Sequence, residues 1–478
     1  MVFSSSLFLL YFLPFFLLIY FLLKHQNLKN YFLLFASILF YSWGEPKFIF
    51  VILASTFLDF YIVKALYNTS NKTRKKIFLA LSISTNLGLL LFFKYANFFV
   101  ENINTIFGVF DIKQIKWSTI ALPIGISFYT FQTLTYSIDI YRGKHKPLDK
   151  VSDYMMYILM FPQLIAGPIV RFIEISDQIV DRKKFETLDN KILGFYRFVI
   201  GLAKKVLIAN VMGAQADKIF ELTNNELTTP LAWIGILAYA FQIYFDFAGY
   251  SDMAIGIGRM IGFTFPENFN SPYISQNISE FWRRWHMTLG NWMKDYLYIP
   301  LGGNKVKTKF RLYFNLWVVF LISGFWHGAA WNFILWGAFH GFFLILDRLF
   351  LIKLLQRAGK YPSIIFTFLV TLIGWVLFRA ENFGQIKFYL HKMFSFNNNL
   401  PNEISFDKEF WTILIIAAFF SFFTLSGFGK NIERKIFFVK EYNLTGLLVM
   451  GFVTLILLTL SISSITASGF NPFIYFRF

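Results

Sequence analysis

The amino-acid sequence predicts an all-α polytopic membrane protein. Hydrophobic residues fill 56% of the 478 positions and charged residues only 15%. A soluble chain of this length has too little interior to bury so much apolar surface, so part of its solvent must be lipid. Nearly uncharged runs, each long enough to cross a hydrocarbon core of about 30 Å, recur from end to end; they are 5–23, 48–63, 77–93, 311–325, 363–378 and 446–462.

These apolar runs predict about 10–12 transmembrane helices. Polar residues interrupt the pattern at 115–170 and 228–300, where we expect additional re-entrant or interfacial helices. The first run lacks the basic residues and the cleavage site of a removable signal peptide, which favours a retained first helix. Because the polar stretches are short, we expect residues 1–478 to form a single integral-membrane domain.

Basic residues are distributed along the chain in a way that predicts membrane topology. They follow the first, third and fifth predicted helices, whereas the loop 100–117 carries balanced charge. The positive-inside rule then places the basic loops in the cytoplasm and the N-terminus outside. These loops would lie against the anionic leaflet of a lipid bilayer, which accounts for the formal net charge of +18 without a nucleic-acid partner. They contain Lys24, Lys29, Lys72, Arg74, Lys75, Lys76, Arg142, Lys144, Lys146 and Lys150.

Several kinds of chemistry find no support in the sequence. The chain contains no cysteine, which excludes disulfides, thiolate catalysis and cysteine-ligated metals. No His-Glu-x-x-His motif or equivalent carboxylate accompanies His286 or His327, so no metal site is predicted. The sequence also lacks the Gly-x-Ser-x-Gly motif that would indicate a hydrolase-type serine nucleophile.

The densest polar cluster in an apolar setting is EFWRRWHMTLGNWMKDYLYIPLGGN, residues 280–304. A rotation of about 100° per residue predicts one amphipathic helix at the membrane interface or re-entering the membrane. We interpret it either as an interfacial helix with snorkelling arginines or as a site for an anionic donor. Its apolar face would carry Trp282, Trp285, His286, Leu289 and Met293, and its polar face Arg284, Thr288, Asn291 and Asp295.

The apolar segment 324–341, GFWHGAAWNFILWGAFHG, contains two histidines. An ionisable side chain within a spanning segment indicates function by default, because removing it from water costs free energy, although neutral imidazole costs less than a charged group. For His340 we favour a structural interpretation, as a hydrogen-bonding partner of a neighbouring helix. His327 stands in a Trp-His-Gly-Ala context whose small residues let a ligand or another backbone approach. From the residues alone, function and structure are equally supported for His327.

The segment 244–263 carries two acids and several glycines. Asp246 and Asp252 are expected to pair with Arg259 or with one of the arginines near residue 283, which is the usual arrangement of intramembrane carboxylates. The glycines miss the dinucleotide-binding fingerprint by one residue and lack a parallel-sheet context, so we interpret them as sites of close helix packing. They are Gly256, Gly258 and Gly262.

Motifs spread along the whole chain carry a family resemblance. They are LPIGISFYTFQTLTYSIDIYRG (122–143), FPQLIAGPIVRF (161–172), YFDFAGYSDMAIGIGRMIGF (244–263), FWRRWHMTLGNWMKDYLYIPLGGN (281–304), SGFWHGAAWNFILWGAFHG (323–341) and PFIYFRF (472–478). In this order they resemble the membrane-bound O-acyltransferase superfamily, and within it the alginate O-acetyltransferase AlgI type. The likeness is specific for the family and much weaker for the substrate.

The resemblance implies a fold, a reaction and a location. The fold would be a funnel of helices around a thinned centre, in a multi-pass protein of the bacterial inner membrane. An acetyl group would pass from cytoplasmic acetyl-CoA, a donor substrate and not a bound cofactor, toward an acceptor outside. The acceptor would be a polysaccharide, either an alginate-type exopolysaccharide or peptidoglycan, and a periplasmic acetyltransferase partner would complete the transfer.

The resemblance also implies roles for particular residues. His327 falls in the family's Trp-His-Gly motif and is expected to be catalytic, as a general base or as the carrier of the acetyl group. His286, the second family histidine, would orient the reactants or assist proton transfer. Arg283, Arg284 and Lys294 would hold the phosphates of the donor. Tyr475 is expected either to relay the acyl group outward or to serve as an interfacial aromatic anchor.

Two other classes of function remain open at the level of the sequence. In a transporter or flippase, the buried histidines and aspartates would form a proton pathway. That reading predicts substrate movement without consumption of acyl-CoA, and it predicts inverted repeats, which we do not find. The third and weaker interpretation is a structural membrane subunit without enzymatic activity.

Overall fold

The computed structural model of the chain describes residues 1–223, 226–396, 406–439 and 442–467. Within these ranges the regular secondary structure is helical and no strand occurs, which confirms the predicted all-α class. A shorter apolar helical stretch covers Phe8–Leu22. In the described part of the chain, six helical stretches are long and apolar enough to cross a membrane by length and composition: Ile49–Asn68, Lys72–Val109, Thr229–Met260, Lys360–Arg379, Lys408–Leu425 and Leu444–Ala467.

The chain divides into two compact units. Unit 1 comprises Met1–Lys191 and Gly258–Phe265, and unit 2 comprises Ile192–Ile257 and Pro266–Phe478. The expectation of a single domain over 1–478 stays a prediction. The helices of unit 1 are α1 (Leu13–Leu22), α2 (Gln26–Gly44), α3 (Ile49–Asn68), α4 (Lys72–Leu90), α5 (Ala96–Val109), α6 (Ile126–Tyr141), α7 (Val151–Leu159), α8 (Phe161–Leu164) and α9 (Phe172–Val180).

A buried carboxylate joins four helices of unit 1. Asp59 of α3 is fully buried, and one of its oxygens accepts hydrogen bonds from Ser82 (2.5 Å) and Asn86 (2.9 Å), both on α4. The other oxygen accepts from Tyr154 of α7 (2.6 Å) and from Ser137 of α6 (3.5 Å). A buried polar group is tolerated when hydrogen bonds replace its water, so these donors make Asp59 a structural centre of unit 1.

A buried guanidinium fixes the segment Gly258–Phe265 within unit 1. Arg182, just after α9, is fully buried and donates to the Tyr20 hydroxyl (2.8 Å), to Asn30 Oδ1 (2.7 Å) and to the Ile261 carbonyl (3.1 Å). Its guanidinium also lies 4.4 Å from the centroid of the Phe263 ring, which adds a cation–π contact. These contacts attach the returning segment to α1 and α2.

Two helices run across the boundary between the units, since α10 begins in unit 1 and α12 ends there. The helices that follow α12 lie in unit 2, as does α11. In chain order, the helices from α10 onward are α10 (Leu188–Ala203), α11 (Asn210–Phe220), α12 (Thr229–Met260), α13 (Ile278–Arg284), α14 (Met287–Met293), α15 (Lys309–His327), α16 (Trp331–Leu346), α17 (Ile352–Ala358), α18 (Lys360–Arg379), α19 (Phe383–Phe394), α20 (Lys408–Phe422), α21 (Gly427–Phe437) and α22 (Leu444–Ala467).

Glycines set the close approach of α10 and α12. A Cβ atom on Gly201 would lie 2.5 Å from the Gly249 carbonyl oxygen, and one on Gly256 would lie 2.6 Å from the Gly194 carbonyl oxygen. The glycines are seven residues apart on each helix, so both lie on one face, and the reversed order of the pairs makes the helices antiparallel. The predicted packing role of Gly256 is therefore confirmed.

The acids of α12 are paired, but with bases that the sequence did not suggest. The expected partner Arg259 instead donates to Asn190 (2.9 Å), so the predicted pairing is wrong. Close packing of α10 on α12 brings a different set of bases to these carboxylates, and two of them lie in the π-helical turn Lys204–Ala209 that follows α10. The pairs are Arg197–Asp252 (2.8 Å), Lys204–Asp252 (2.7 Å) and Lys205–Asp246 (3.0 Å).

Candidate active site

The segment expected to form one amphipathic helix is broken at its histidine. Helix α13 ends at Arg284, and α14 begins only at Met287. His286 adopts a left-handed backbone conformation with φ of 45°, which is uncommon for a residue with a side chain. The prediction of a continuous helix is therefore wrong, and the predicted faces do not hold on both sides of the break.

Backbone hydrogen bonds to a neighbouring segment explain the break. The Asn270 N–H donates to the Arg284 carbonyl (2.9 Å), and the Met287 N–H donates to the Asn268 carbonyl (2.9 Å). These bonds flank His286 on both sides and replace bonds that a continuous helix would make. The helical periodicity of one segment contains no information about backbone hydrogen bonds that another segment forms with it.

His286 is held by a buried amide. Its ring is 2% exposed, and Nδ1 lies 3.0 Å from Oδ1 of Asn268. The ring also meets Phe247 of α12 edge to face, with centroids 4.6 Å apart. Burial, and secondarily the charge of nearby His327, lower the pKa of His286 well below its ordinary value of 6.5. His286 lies outside the six candidate spans and is neutral at physiological pH.

His327 is the last residue of α15 and is 7% exposed. Its ring centroid lies 5.1 Å from that of Trp336 and 5.3 Å from that of Phe378. Gly324 and Gly328 provide the space for this packing, since a Cβ on either would clash with Phe333 of α16. Phe333 thus packs against the small neighbours of His327, and the expectation that another backbone or a ligand approaches His327 itself stays a prediction.

The structure brings His286 and His327 together around one tryptophan. The centroid of the Trp326 ring lies 4.9 Å from that of His327 and 6.3 Å from that of His286. Because the two histidines are close, the charge of His327 contributes to lowering the pKa of His286. We refer to His286, His327 and Trp326 as the histidine pair and its tryptophan.

His340 lies deeper in the aromatic packing of α16. It is 1% exposed, and its ring meets those of Trp282 (5.0 Å) and Trp336 (5.1 Å). Gly374 of α18 leaves room for it, because a Cβ there would stand 2.6 Å from His340 Nε2. Its ring therefore contacts α13 and α18 as well as its own helix, and its structural role stays a prediction.

The three basic residues expected at the donor site have different surroundings. Arg284 is engaged within the protein, donating to Glu280 (2.9 Å) and to the Asn270 carbonyl (3.1 Å). Arg283 is exposed at the end of α13, and the Lys294 side chain is 57% exposed. Tyr475, expected to relay the acyl group or anchor the C-terminus, lies outside the described residues.

Asn268 also lines a polar cavity of about 50 Å³ in unit 2. Arg197 bridges two carboxylates there, donating to Asp252 and to Glu267 (2.5 Å). Burial raises the pKa of Glu433 on α21, which accepts a hydrogen bond from Ser271 (3.4 Å) and lines the same cavity. Asn268 thus shares a cavity with several charged side chains.

Asn268 and its neighbours are functional candidates that the sequence did not predict. The signal was present, because FPENFNSPY at 265–273 is a polar interruption of an apolar chain. No helical or strand periodicity relates that segment to His286, so only the fold pairs them. Among residues that the structure describes, no three histidine or acidic side chains are grouped as metal ligands.

Taken together, these features define a helical membrane protein with a histidine pair buried among aromatic rings. Residues 148–378, which include both histidines, match the model of the membrane-bound O-acyltransferase family, MBOAT. Three relatives extend the match. The protein named probable alginate O-acetylase AlgI from Pseudomonas putida is 40% identical, with the alignment covering 100% of both chains.

The protein with the same name from Pseudomonas aeruginosa is 44% identical over 85% of this chain and 77% of its own length. The peptidoglycan O-acetyltransferase of Helicobacter pylori is 38% identical over 80% of this chain and 77% of its own. The chain belongs to the membrane-bound O-acyltransferase family. It is therefore an O-acyltransferase and a multi-pass protein of the bacterial inner membrane.

Proposed function

We propose that this protein passes an acetyl group from cytoplasmic acetyl-CoA across the inner membrane for O-acetylation of an extracytoplasmic polysaccharide. The polysaccharide is of the alginate type or is peptidoglycan, and a periplasmic acetyltransferase completes the transfer. The observation that carries the proposal is the histidine pair at Trp326, which lies inside the range matched by the family model. The relatives named for alginate and peptidoglycan acetylation support the acceptor class.

The histidine pair is suited to acyl transfer. Attack of a hydroxyl on a thioester requires proton transfer near pH 7, and burial keeps the imidazole of His286 in the neutral form that can assist it. We assign His327 as general base or acyl carrier and His286 as the residue that orients the reactants or assists proton transfer. In a site with little water, a hydrogen bond to the developing oxyanion is strengthened.

Donor binding is assigned to the basic residues of α13 and the turn after α14. Exposed Arg283 and Lys294 have side chains available to phosphates of the donor, whereas Arg284 would have to exchange its contact with Glu280. With the N-terminus outside, the basic loops and the donor share the cytoplasmic side. Tyr475 is assigned as a relay of the acyl group, to be tested by mass spectrometry for acetyl-tyrosine and by Tyr475→Phe.

Transfer from labelled acetyl-CoA by the purified protein, with its polysaccharide acceptor and periplasmic partner, tests the proposal. We expect His327→Ala to lower turnover by at least about 100-fold, the contribution typical of a positioned acid–base group. His391→Ala, which changes an exposed histidine, serves as the matched control and should retain activity. Wild-type turnover by a folded His327→Ala protein would contradict the catalytic assignment.

The same preparation separates acyl transfer from transport. A transporter or flippase would move its substrate across a liposome membrane without consuming acyl-CoA. Release of CoA in step with acetylation of the acceptor supports the transferase. Substrate movement with no release of CoA would overturn it.

A further inference from the structure

The orientation of the Asn268 side chain is determined by its surroundings. The backbone N–H of Thr288, which can only donate, points at Asn268 Oδ1 over 3.4 Å, and the Thr288 hydroxyl donates to the same atom (2.8 Å). On the other side, Asn268 Nδ2 donates to the Ser251 hydroxyl (3.0 Å). The amide oxygen therefore faces His286, and the amide nitrogen faces away from it.

This orientation selects one tautomer of His286. Because Asn268 Oδ1 is an acceptor, the His286 Nδ1 atom 3.0 Å away must carry the hydrogen. The lone pair of the neutral ring then belongs to Nε2. That atom is buried and finds no hydrogen-bond partner among the described residues. A buried acceptor of this kind is costly to maintain unless it serves a ligand or a reaction.

The same short segment also fixes the backbone of His286. The carbonyl of Asn268 accepts from Met287, and the N–H of Asn270 donates to Arg284, so the left-handed residue is held from both sides. Strained conformations of this type persist where the surrounding structure imposes them, and they concentrate at functional sites. Asn268 thus controls both the ring and the main chain of His286.

We propose that Asn268 is a positioning residue that holds His286 with Nδ1 protonated, so that Nε2 accepts the proton of the attacking hydroxyl. The inference rests on the proposed function and gives the proton-transfer role to His286, which leaves His327 to polarise or carry the acyl group. When the acetyl group passes to the acceptor without an intermediate on His327, the hydroxyl oxygen of the acceptor attacks the carbonyl carbon of the donor thioester while the hydroxyl proton moves to Nε2. The carbon–sulfur bond then breaks, and the departing sulfur takes the proton back from Nε2.

The chemistry of an amide makes this arrangement specific. Unlike a carboxylate, the Asn268 amide neither accepts a proton from Nδ1 nor stabilises the imidazolium by charge. The proton must therefore enter and leave His286 through the same nitrogen. A cycle that begins and ends with neutral imidazole follows from the burial of the ring and from the neutral amide beside its Nδ1.

The tautomer can be measured without any acyl transfer. The ¹⁵N spectrum of the purified full-length protein, labelled at its six histidines, resolves Nδ1–H from Nε2–H, and His286→Gln identifies the relevant signals. We expect the Nδ1–H form in the wild type and a loss of that preference in Asn268→Ala. Ser251→Ala, which removes only the partner of Nδ2, is the matched control and should keep the wild-type tautomer. An Nε2–H wild-type ring, or an unchanged tautomer in Asn268→Ala, would overturn the proposal.

A second variant tests the chemical consequence. Asn268→Asp keeps the size and the acceptor toward Nδ1 but adds negative charge, which favours the imidazolium. We expect the acidic limb of its pH–rate profile to move to higher pH by about one unit or more. An unmoved limb with wild-type rates would refute the positioning role. Because the spectra do not depend on turnover, failure of the proposed acetyl transfer would leave the tautomer result intact.

Discussion

Arg197 and Asp252 are joined by two hydrogen bonds, 3.0 and 2.8 Å long, from the guanidinium group to a single carboxylate oxygen. Arg197 belongs to α10 and Asp252 to α12, and the side chains of both are 9% exposed. Lys204 forms a second ion pair with Asp252 (2.7 Å), and Glu267 forms a second ion pair with Arg197 (2.5 Å). The glycine-lined contact of the two helices therefore carries a compensated group of buried charges.

Removing one member of this group should destabilise the protein strongly. Arg197→Ala leaves buried Asp252 with Lys204 as its remaining partner and removes the partner of half-buried Glu267, so we expect a loss of about 3 kcal/mol of stability, the lower end of the cost of breaking a buried ion pair. Thermal unfolding in detergent measures the effect. Lys353→Ala, at an exposed position, should leave the Tm unchanged. If the double variant Arg197→Ala, Asp252→Ala loses as much stability as the two single variants added together, the two residues are not energetically coupled.

Substitution of the packing glycines should force α10 and α12 apart. An added Cβ in Gly256→Ala would meet the Gly194 carbonyl oxygen at 2.6 Å and the Phe198 nitrogen at 2.7 Å, and backbone atoms cannot rotate away. We expect a loss of about 1–3 kcal/mol, seen as a lower Tm. Gly88→Ala in α4 has no heavy atom within 4 Å of the new carbon and should be neutral or stabilising. Equal Tm changes in the two variants would contradict the packing role.

Asp59 should not tolerate the loss of an acceptor oxygen. In Asp59→Asn, the amide nitrogen replaces one carboxylate oxygen and faces either the donors Ser82 and Asn86 or the donor Tyr154, so hydrogen bonds are lost inside unit 1. We expect a loss of about 1–3 kcal/mol for each donor left without a partner. Asp111→Asn, an exposed change, is the control for thermal unfolding. A Tm for Asp59→Asn that matches the control would argue against this structural role.

The protein should lose stability as pH falls because of His286. The folded pKa of this residue lies well below 6.5, whereas the unfolded chain takes up a proton near 6.5. The unfolded state therefore binds more protons in acid, and stability that is complete above pH 6.5 declines below it by about 1.4 kcal/mol per pH unit. Unfolding between pH 5 and pH 8 measures the slope. His286→Gln should flatten it, whereas the exposed change His391→Gln should not; a slope unaffected by His286→Gln would disprove the prediction.

The sequence predicted the class of structure from composition and the candidate histidines from their setting. Apolar runs indicated helices and a membrane. The Trp-His-Gly-Ala context made His327 a candidate for function, and its role stays a prediction. Gly256 was also interpreted correctly, because a small residue in an apolar helix has few reasons to be there other than close packing. Each of these inferences depends on local composition or on a periodicity within one segment.

Ion pairs and the local conformation at His286 could not be derived in the same way. Asp252 pairs with Arg197 across 55 positions of sequence, and nothing in either segment specifies that partner. The helix is interrupted at His286 because backbone groups of the segment around Asn268 form hydrogen bonds with the main chain on both sides of the break. A periodicity predicts the conformation that a segment prefers alone, and contacts with another segment outweigh that preference.

By itself, the sequence determined that this protein is helical, lies in a membrane and has histidines in an apolar setting, because burial in lipid constrains composition directly. Only the tertiary structure decided which nitrogen of His286 holds the proton and which residue stands beside it. That choice depends on hydrogen bonds about 3 Å long between groups distant in sequence. Such bonds form only after close packing of the helices has placed donor and acceptor together.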